Sequence, residues 1–170
     1  IKLKHLDLGG GLGVTYTDEM PPHPSDYANA LLEKLKDYSE LEIILEPGRA
    51  ISANAGILVA KVQYLKNNES RNFAITDTGM NDMIRPALYE AYMNIVEIDR
   101  TLVREKAIYD VVGPVCETSD FLGKQRELSI AEGDYIAQCS AGAYGASMSS
   151  NYNSRPRTAE VLVDGDKSYL

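Results

Sequence analysis

Tryptophan is absent from the 170 residues, and phenylalanine, cysteine and histidine occur only twice each. Two cysteines, Cys116 and Cys139, build neither a disulfide framework nor a zinc motif, and both are expected to be buried, reduced thiols of a cytoplasmic protein. The two histidines, His5 and His23, are far apart and have no carboxylate cluster around them, so no metal site is expected. His23 lies between prolines and is expected in solvent; His5 lies in a strand pattern and is expected to face a core or a barrel interior. Basic residues are outnumbered, 17 against 25 acidic, for a net charge of −8. Phosphate backbones are bound by clustered Lys and Arg, and here these residues are scattered, which argues against a nucleic-acid partner. A small anionic cofactor stays open, because local backbone dipoles act regardless of net charge. No run of eighteen apolar residues occurs, so no membrane-spanning helix and no membrane partner is expected. The opening Ile1-Lys2-Leu3-Lys4-His5 has neither the apolar stretch nor the cleavage site of a signal peptide.

What is present divides near residue 56. Before it, Leu3–Leu8 and Leu41–Leu45 read as short buried strands. Pro21, Pro22 and Pro24 break the chain between them, and Ser25 is the expected N-cap of a helix with the stripe Tyr27, Leu31, Leu32 and Leu35. Strand, glycine turn, helix, strand, turn is the order of a β/α barrel or a doubly wound sheet. One such unit closes no barrel by itself. Beyond residue 56, β-rich runs are expected at Ile57–Leu65, Arg71–Thr76, Ile95–Ile98, Ala107–Val112, Tyr135–Cys139 and Thr158–Val163. Asn67-Asn68 suits a hairpin turn between the first two. Short helices are expected only at Pro86–Tyr92 and Ala143–Ser150. The fold class is therefore α/β followed by mostly antiparallel β, with no internal repeat.

Five motifs carry chemistry, four of them with a plainer alternative. Asp7-Leu8-Gly9-Gly10-Gly11-Leu12-Gly13 follows a strand; its glycines let backbone N–H groups approach a phosphate, although a tight strand-to-helix turn explains them equally well. It lacks the Gly-Lys-Ser/Thr of a P-loop and the spacing of a dinucleotide fingerprint. Glu46-Pro47-Gly48-Arg49 follows the next strand, and Arg49 offers a forked cation. Two such turns at the ends of neighbouring parallel strands face one crevice, which is where phosphorylated ligands bind in α/β proteins. Arg85 and Tyr89, four residues apart around Pro86, share a helix face and suit a carboxylate, or are a surface Arg and a half-buried Tyr. Gly113-Pro114-Val115-Cys116-Glu117 places a thiol, a candidate proton donor, beside a carboxylate, though a lone cysteine is usually inert. Ala141-Gly142-Ala143-Tyr144-Gly145 frames a tyrosine with small residues, for close approach of a ligand or simply for packing.

Together, in this order, the motifs resemble the fold-type III pyridoxal-phosphate decarboxylases. Gly-Gly-Gly-Leu-Gly and Glu-Pro-Gly-Arg are shared with ornithine and arginine decarboxylases. Gly-Met-Asn-Asp-x-Ile-Arg-Pro-Ala-Leu-Tyr, Gly-Pro-x-Cys-Glu-x-x-Asp and Gly-Ala-Tyr-Gly are more specific to the enzymes acting on diaminopimelate, and the tail Asn151–Pro156 fits them too. The resemblance implies that residues 1–56 are the C-terminal part of a TIM-type, cofactor-binding α/β barrel. It also implies that residues 57–170 are a β-domain completing the site at a homodimer interface. Gly10, Gly11 and Glu46, Pro47, Gly48, Arg49 would hold the phosphate of pyridoxal 5'-phosphate. Arg49, Arg85 and Tyr89 would bind the distal end of an amino-acid substrate, with Glu117 on its ammonium. Cys116 would be the catalytic proton donor, delivered with Glu117 by the neighbouring protomer, and Tyr144 would touch both cofactor and substrate. The implied activity is removal of CO2 from meso-2,6-diaminopimelate to give L-lysine, the last step of lysine biosynthesis. No lysine here, including Lys2, Lys4 and Lys61, stands in the motif of the cofactor-bearing lysine, so the chain is expected to be a C-terminal portion, inactive alone. A noncatalytic binding or dimerisation module, and a decarboxylase for ornithine or arginine, are the competing expectations.

Overall fold

The structure is a computed structural model that describes residues 2–102 and 104–170. Strand β1 (His5–Asp7) and strand β2 (Glu42–Ile44) pair in parallel, with His5 opposite Glu42 and Asp7 opposite Ile44. Helix α1 (Pro24–Lys34) connects them. It begins two residues earlier than the sequence pattern indicates: Pro24 lacks an N–H and has its φ preset for the first helical position, so His23 becomes the N-cap and its Nδ1 accepts from the Ser25 N–H at 3.3 Å. His5 is exposed rather than turned to an interior, and its Nε2 lies 3.2 Å from the Glu42 carboxylate directly across the pair. After β2 the chain turns into the single-turn helix α2 (Arg49–Ser52). None of residues 2–52 is buried.

The core lies in the second part. Strands β3 (Leu58–Asn67), β4 (Asn72–Thr76), β5 (Ile95–Glu97), β6 (Ala107–Val112), β7 (Phe121–Leu128) and β8 (Tyr135–Gln138) form one sheet in the order β5-β8-β3-β4-β6-β7. The hairpin β3–β4 forms as expected, and Asn68 closes it: its Oδ1 accepts from the N–H groups of Ser70 and Arg71 at 3.1 and 2.8 Å. Within this sheet only β4 and β6 run parallel, because a crossover of some thirty residues, long enough to reverse the chain twice, separates them. That crossover carries helix α3 (Arg85–Tyr89), which stops at Glu90, a residue in the left-handed region at φ 52. The helix expected through Tyr92 is therefore shorter.

Strand β7 is missing from the sequence reading, and its geometry explains why. Gln125 sits at φ 52 in a bulge, and its N–H bonds to Asp110 Oδ1 at 2.8 Å instead of to the ladder. The bulge breaks the alternation by which a strand is recognised. The sheet curls until its ends meet: Gln138 Nε2 on β8 donates to the Leu122 carbonyl on β7 at 3.0 Å, and Gly123 on β7 lies against Ile95 on β5. Inside the curl pack Met83, Met93, Leu122, Leu128 and Ile136, all fully buried, each contributing about 2 kcal/mol by removal from water.

Gly142 joins the two parts. Its N–H donates to the Ala53 carbonyl at 3.1 Å, and a Cβ there would stand 1.9 Å from the Ser52 oxygen. The helix expected at Ala143–Ser150 reduces to a 3-10 turn, Ala146–Met148, because Tyr144 takes φ 65, which no helix tolerates. The strand expected at Thr158–Val163 begins only at Leu162: β9 (Leu162–Asp164) and β10 (Lys167–Tyr169) form an exposed hairpin around Gly165.

Candidate active site

The two glycine-bearing turns lie side by side. Asp7 Oδ1 accepts from the Gly9 N–H at 2.8 Å, which folds the chain back on itself just after β1. Gly9 and Gly11 take positive φ, 66 and 97, where a side chain would be strained. The Glu46 N–H donates to the Gly9 carbonyl at 2.9 Å, and a Cβ on Gly10 would come within 2.7 Å of the Glu46 oxygen. Around Gly9, Gly11 and Gly48 there is open space. The result is a backbone cradle with Arg49 at its rim, of the kind that accepts a phosphate.

Beside the cradle, two guanidiniums converge on one oxygen. The Tyr16 hydroxyl accepts from Arg49 Nη1 in a very short contact and from Arg85 Nη1 at 3.0 Å. Arg49 lies 5.8 Å from the Tyr16 ring centre and 5.1 Å from that of Tyr144; Arg85 lies 5.3 Å from the Tyr16 ring. The rings face the cations with their negative π clouds. Among the described residues no carboxylate pairs with either arginine. Arg85 is only 8% exposed. A buried cation without an anion is costly, so this pocket attracts a carboxylate or phosphate. Tyr89, four residues on, is 61% exposed at the end of α3.

Cys116 and Glu117 occupy a separate loop between β6 and β7. Its anchor is Asp120, 5% exposed, which accepts from the N–H groups of Met80 and Val115, each at 2.6 Å. The carboxylate is packed so closely against Gly79 and Gly113 that a Cβ on either would collide with it. Burial raises the Asp120 pKa, and the two N–H donors act in the opposite direction. The loop turns tightly, with Glu117 N–H on the Val115 carbonyl at 2.8 Å, and this leaves Cys116 exposed rather than buried. Cys139, at the end of β8, is half-buried, so neither thiol has the enclosed setting expected of it. Glu117 Oε2 accepts from the Tyr152 hydroxyl at 3.3 Å. The segment bearing Tyr152 is itself strapped down: Arg155 donates from Nε to Asn81 Oδ1 at 3.0 Å and from Nη2 to the Asp77 carbonyl at 2.5 Å, and Thr158 donates to Asp82 Oδ1 at 2.8 Å.

The structure thus brings Gly10, Gly11, Glu46, Arg49, Arg85 and Tyr144 into one region, and sets Cys116 and Glu117 on another loop. Among the described residues no hydrogen bond or ion pair joins the two groups. Tyr16 stands in none of the sequence motifs; Asp120 ends the Gly-Pro-x-Cys-Glu-x-x-Asp motif and Tyr152 lies in the tail, neither with an expected role of its own.

A family model described as pyridoxal-dependent decarboxylase, C-terminal sheet domain, matches residues 14–142. The chain belongs to this family. Among its decarboxylase relatives, it is 95% identical over all 170 residues to a diaminopimelate decarboxylase of Haemophilus influenzae, of which it spans 41%. The crystal structure of diaminopimelate decarboxylase from Helicobacter pylori complexed with L-lysine is 45% identical, with a TM-score of 0.91 over 99% of this chain and 41% of that one. A lysine/ornithine decarboxylase from Vibrio vulnificus complexed with cadaverine is more distant, at 25% identity and a TM-score of 0.78 over 91% of this chain and 42% of that one. The chain therefore corresponds to about two fifths of the length of the decarboxylases it matches. Among the described residues no helix is long and apolar enough to cross a membrane.

Proposed function

We propose that these residues are the C-terminal portion of a diaminopimelate decarboxylase, a cytoplasmic carboxy-lyase that converts meso-2,6-diaminopimelate to L-lysine and CO2 with pyridoxal 5'-phosphate. The observation that carries this reading is the convergence of Arg49 and Arg85 beside a phosphate cradle. Diaminopimelate ends distally in a second amino acid, with its own carboxylate and ammonium. Ornithine has no distal carboxylate, so Arg85, which stands in the motif specific to the diaminopimelate enzymes, would have nothing to hold in its decarboxylase. The names of the most similar relatives agree with this choice.

The backbone suits the cofactor. Positive φ at Gly9 and Gly11, and the open space around Gly48, make room for a phosphate group that side chains would block. Gly10, Gly11 and the Glu46–Arg49 turn would hold it, with Tyr144 alongside. When bound, pyridoxal phosphate accepts the electron pair freed as CO2 departs. The chain's own residues bind, orient and reprotonate. Arg49, Arg85 and Tyr89 clamp the distal carboxylate, which fixes the reacting end by fixing the far end. Glu117 takes the distal ammonium. The Cys116 Sγ–H gives a proton to the carbon that has lost CO2. Because the Cys116 loop is exposed and apart from the arginines, we assign it to the site of a neighbouring protomer in a homodimer. Residues 1–56 then belong to a TIM-type barrel and residues 57–170 to the β-domain. The parallel β1–β2 pair, with its glycine turns at the strands' C-terminal ends, supports this division.

The test is Arg85→Ala in the full-length enzyme. Losing a charged hydrogen bond to the substrate is expected to lower kcat/KM for diaminopimelate roughly 100-fold, with the cofactor absorbance band unchanged and ornithine and arginine hardly turned over by the parent enzyme. A variant that loses cofactor and activity together would sink the assignment of Arg85.

A further inference from the structure

We infer that Tyr16 is a specificity-determining residue of the same site, the third donor to the substrate's distal carboxylate and the yoke that holds Arg49 and Arg85 together. The inference rests on the reading of the arginine pair given above and adds a residue to it.

A phenol oxygen offers two lone pairs and one O–H. In Tyr16 both lone pairs are taken, one by Arg49 Nη1 and one by Arg85 Nη1. The proton is the only capacity left, and among the described residues nothing accepts it. Two like charges so close repel each other, and an oxygen shared between them offsets that repulsion and fixes their spacing. The arrangement therefore presents three donors on one side: two guanidinium forks and one phenol O–H. A carboxylate, with two oxygens and about four lone-pair directions, matches that set. An ammonium group does not, since every group here donates.

The loop holds Tyr16 in place without help from a core. Glu19 Oε2 accepts from the Thr17 N–H at 2.6 Å and from the Thr17 hydroxyl at 2.8 Å, while the Thr15 hydroxyl donates to the Glu19 carbonyl at 3.0 Å. These bonds wind residues 15–19 into a tight turn with the Tyr16 ring on its inner side, half-buried between the two arginines. A merely structural tyrosine in a polar loop needs neither contact.

The experiment uses Tyr16→Phe in the full-length enzyme, read with diaminopimelate as substrate and cadaverine as competitive inhibitor. Cadaverine has both ammonium groups and neither carboxylate, so it reports on the rest of the site. The expected result is a rise in KM for diaminopimelate of roughly tenfold, with kcat within about twofold, the cofactor band unchanged and the cadaverine inhibition constant unchanged. Equal weakening of diaminopimelate and cadaverine would mean general damage to the site and would overturn the inference, as would an unchanged KM. Arg85→Ala run in parallel separates the two levels. If Arg85→Ala raises KM and Tyr16→Phe does not, only the role of Tyr16 falls. If neither variant moves KM, the carboxylate assignment of the whole pocket falls with it.

Discussion

Asp120 shows how a single residue holds the Cys116 loop in place. It does not face ligand; it accepts two backbone N–H groups, one from the Arg85 segment at Met80 and one from the Cys116 segment at Val115, and so ties them together. An asparagine of the same shape turns one acceptor into a donor facing an N–H, which is expected to cost about 1–3 kcal/mol at neutral pH. The pH dependence has a definite sign. Burial raises the folded pKa of Asp120 above its ordinary value of 3.8, so the folded state holds the proton more tightly than the unfolded chain. Its stabilising share is complete below 3.8 and is lost as pH rises through the raised value. The stability difference between parent and Asp120→Asn should thus narrow with rising pH across that window, read as denaturation midpoints of the full-length enzyme. A difference independent of pH would contradict it.

At the scale of elements, what was legible in the sequence followed regular local rules, and what was not depended on exceptions to them. The hairpin at Asn68, the parallel pair β1–β2 and the short helix at Pro86 announce themselves through turn residues, apolar runs and a proline. Strand β7 does not, because the bulge at Gln125 interrupts its pattern, and the helix expected after Ala143 fails because Tyr144 is held at positive φ. The candidate site divides the same way. Gly10, Gly11, Arg49 and Arg85 stand in dense motifs, whereas Tyr16 becomes visible only when the loop after the glycines is folded back over them. That loop depends on Glu19, whose pKa is pushed down to about 2, first by the Thr17 N–H. A depressed pKa means that the turn is fully supported above the ordinary 4.5 and loses that support as pH falls through about 2. The Thr17 amide should therefore exchange slowly at neutral pH and lose protection only in strong acid. In Glu19→Gln it should exchange faster at neutral pH, with a severalfold higher KM for diaminopimelate. Identical Thr17 protection in the two proteins would remove Glu19 from the account.

For the whole molecule, the distribution of burial matters most. The six-stranded sheet encloses a core, but the 51 described residues ahead of Ala53 bury none of their side chains. A two-stranded parallel pair cannot cover its own faces, so the cradle gains no rigidity from a core of its own among the described residues. The Cys116 loop has the opposite character: it is rigidly pinned through Asp120 and Tyr152, yet its thiol points into solvent. A well-held reactive group that reaches nothing in its own chain suits a site on a second copy. This makes a quantitative prediction for the full-length enzyme. Cys116→Ala and Arg85→Ala protomers, each nearly inactive as homodimers, are mixed in equal amounts and allowed to exchange subunits. If each site draws Cys116 from the partner, a mixed dimer has one site with both residues intact and one with neither. Half the dimers are mixed, so activity should recover to about a quarter of the parent level in a closed two-fold assembly. If Cys116 served its own protomer, every site in the mixture would carry one defect and no recovery would follow.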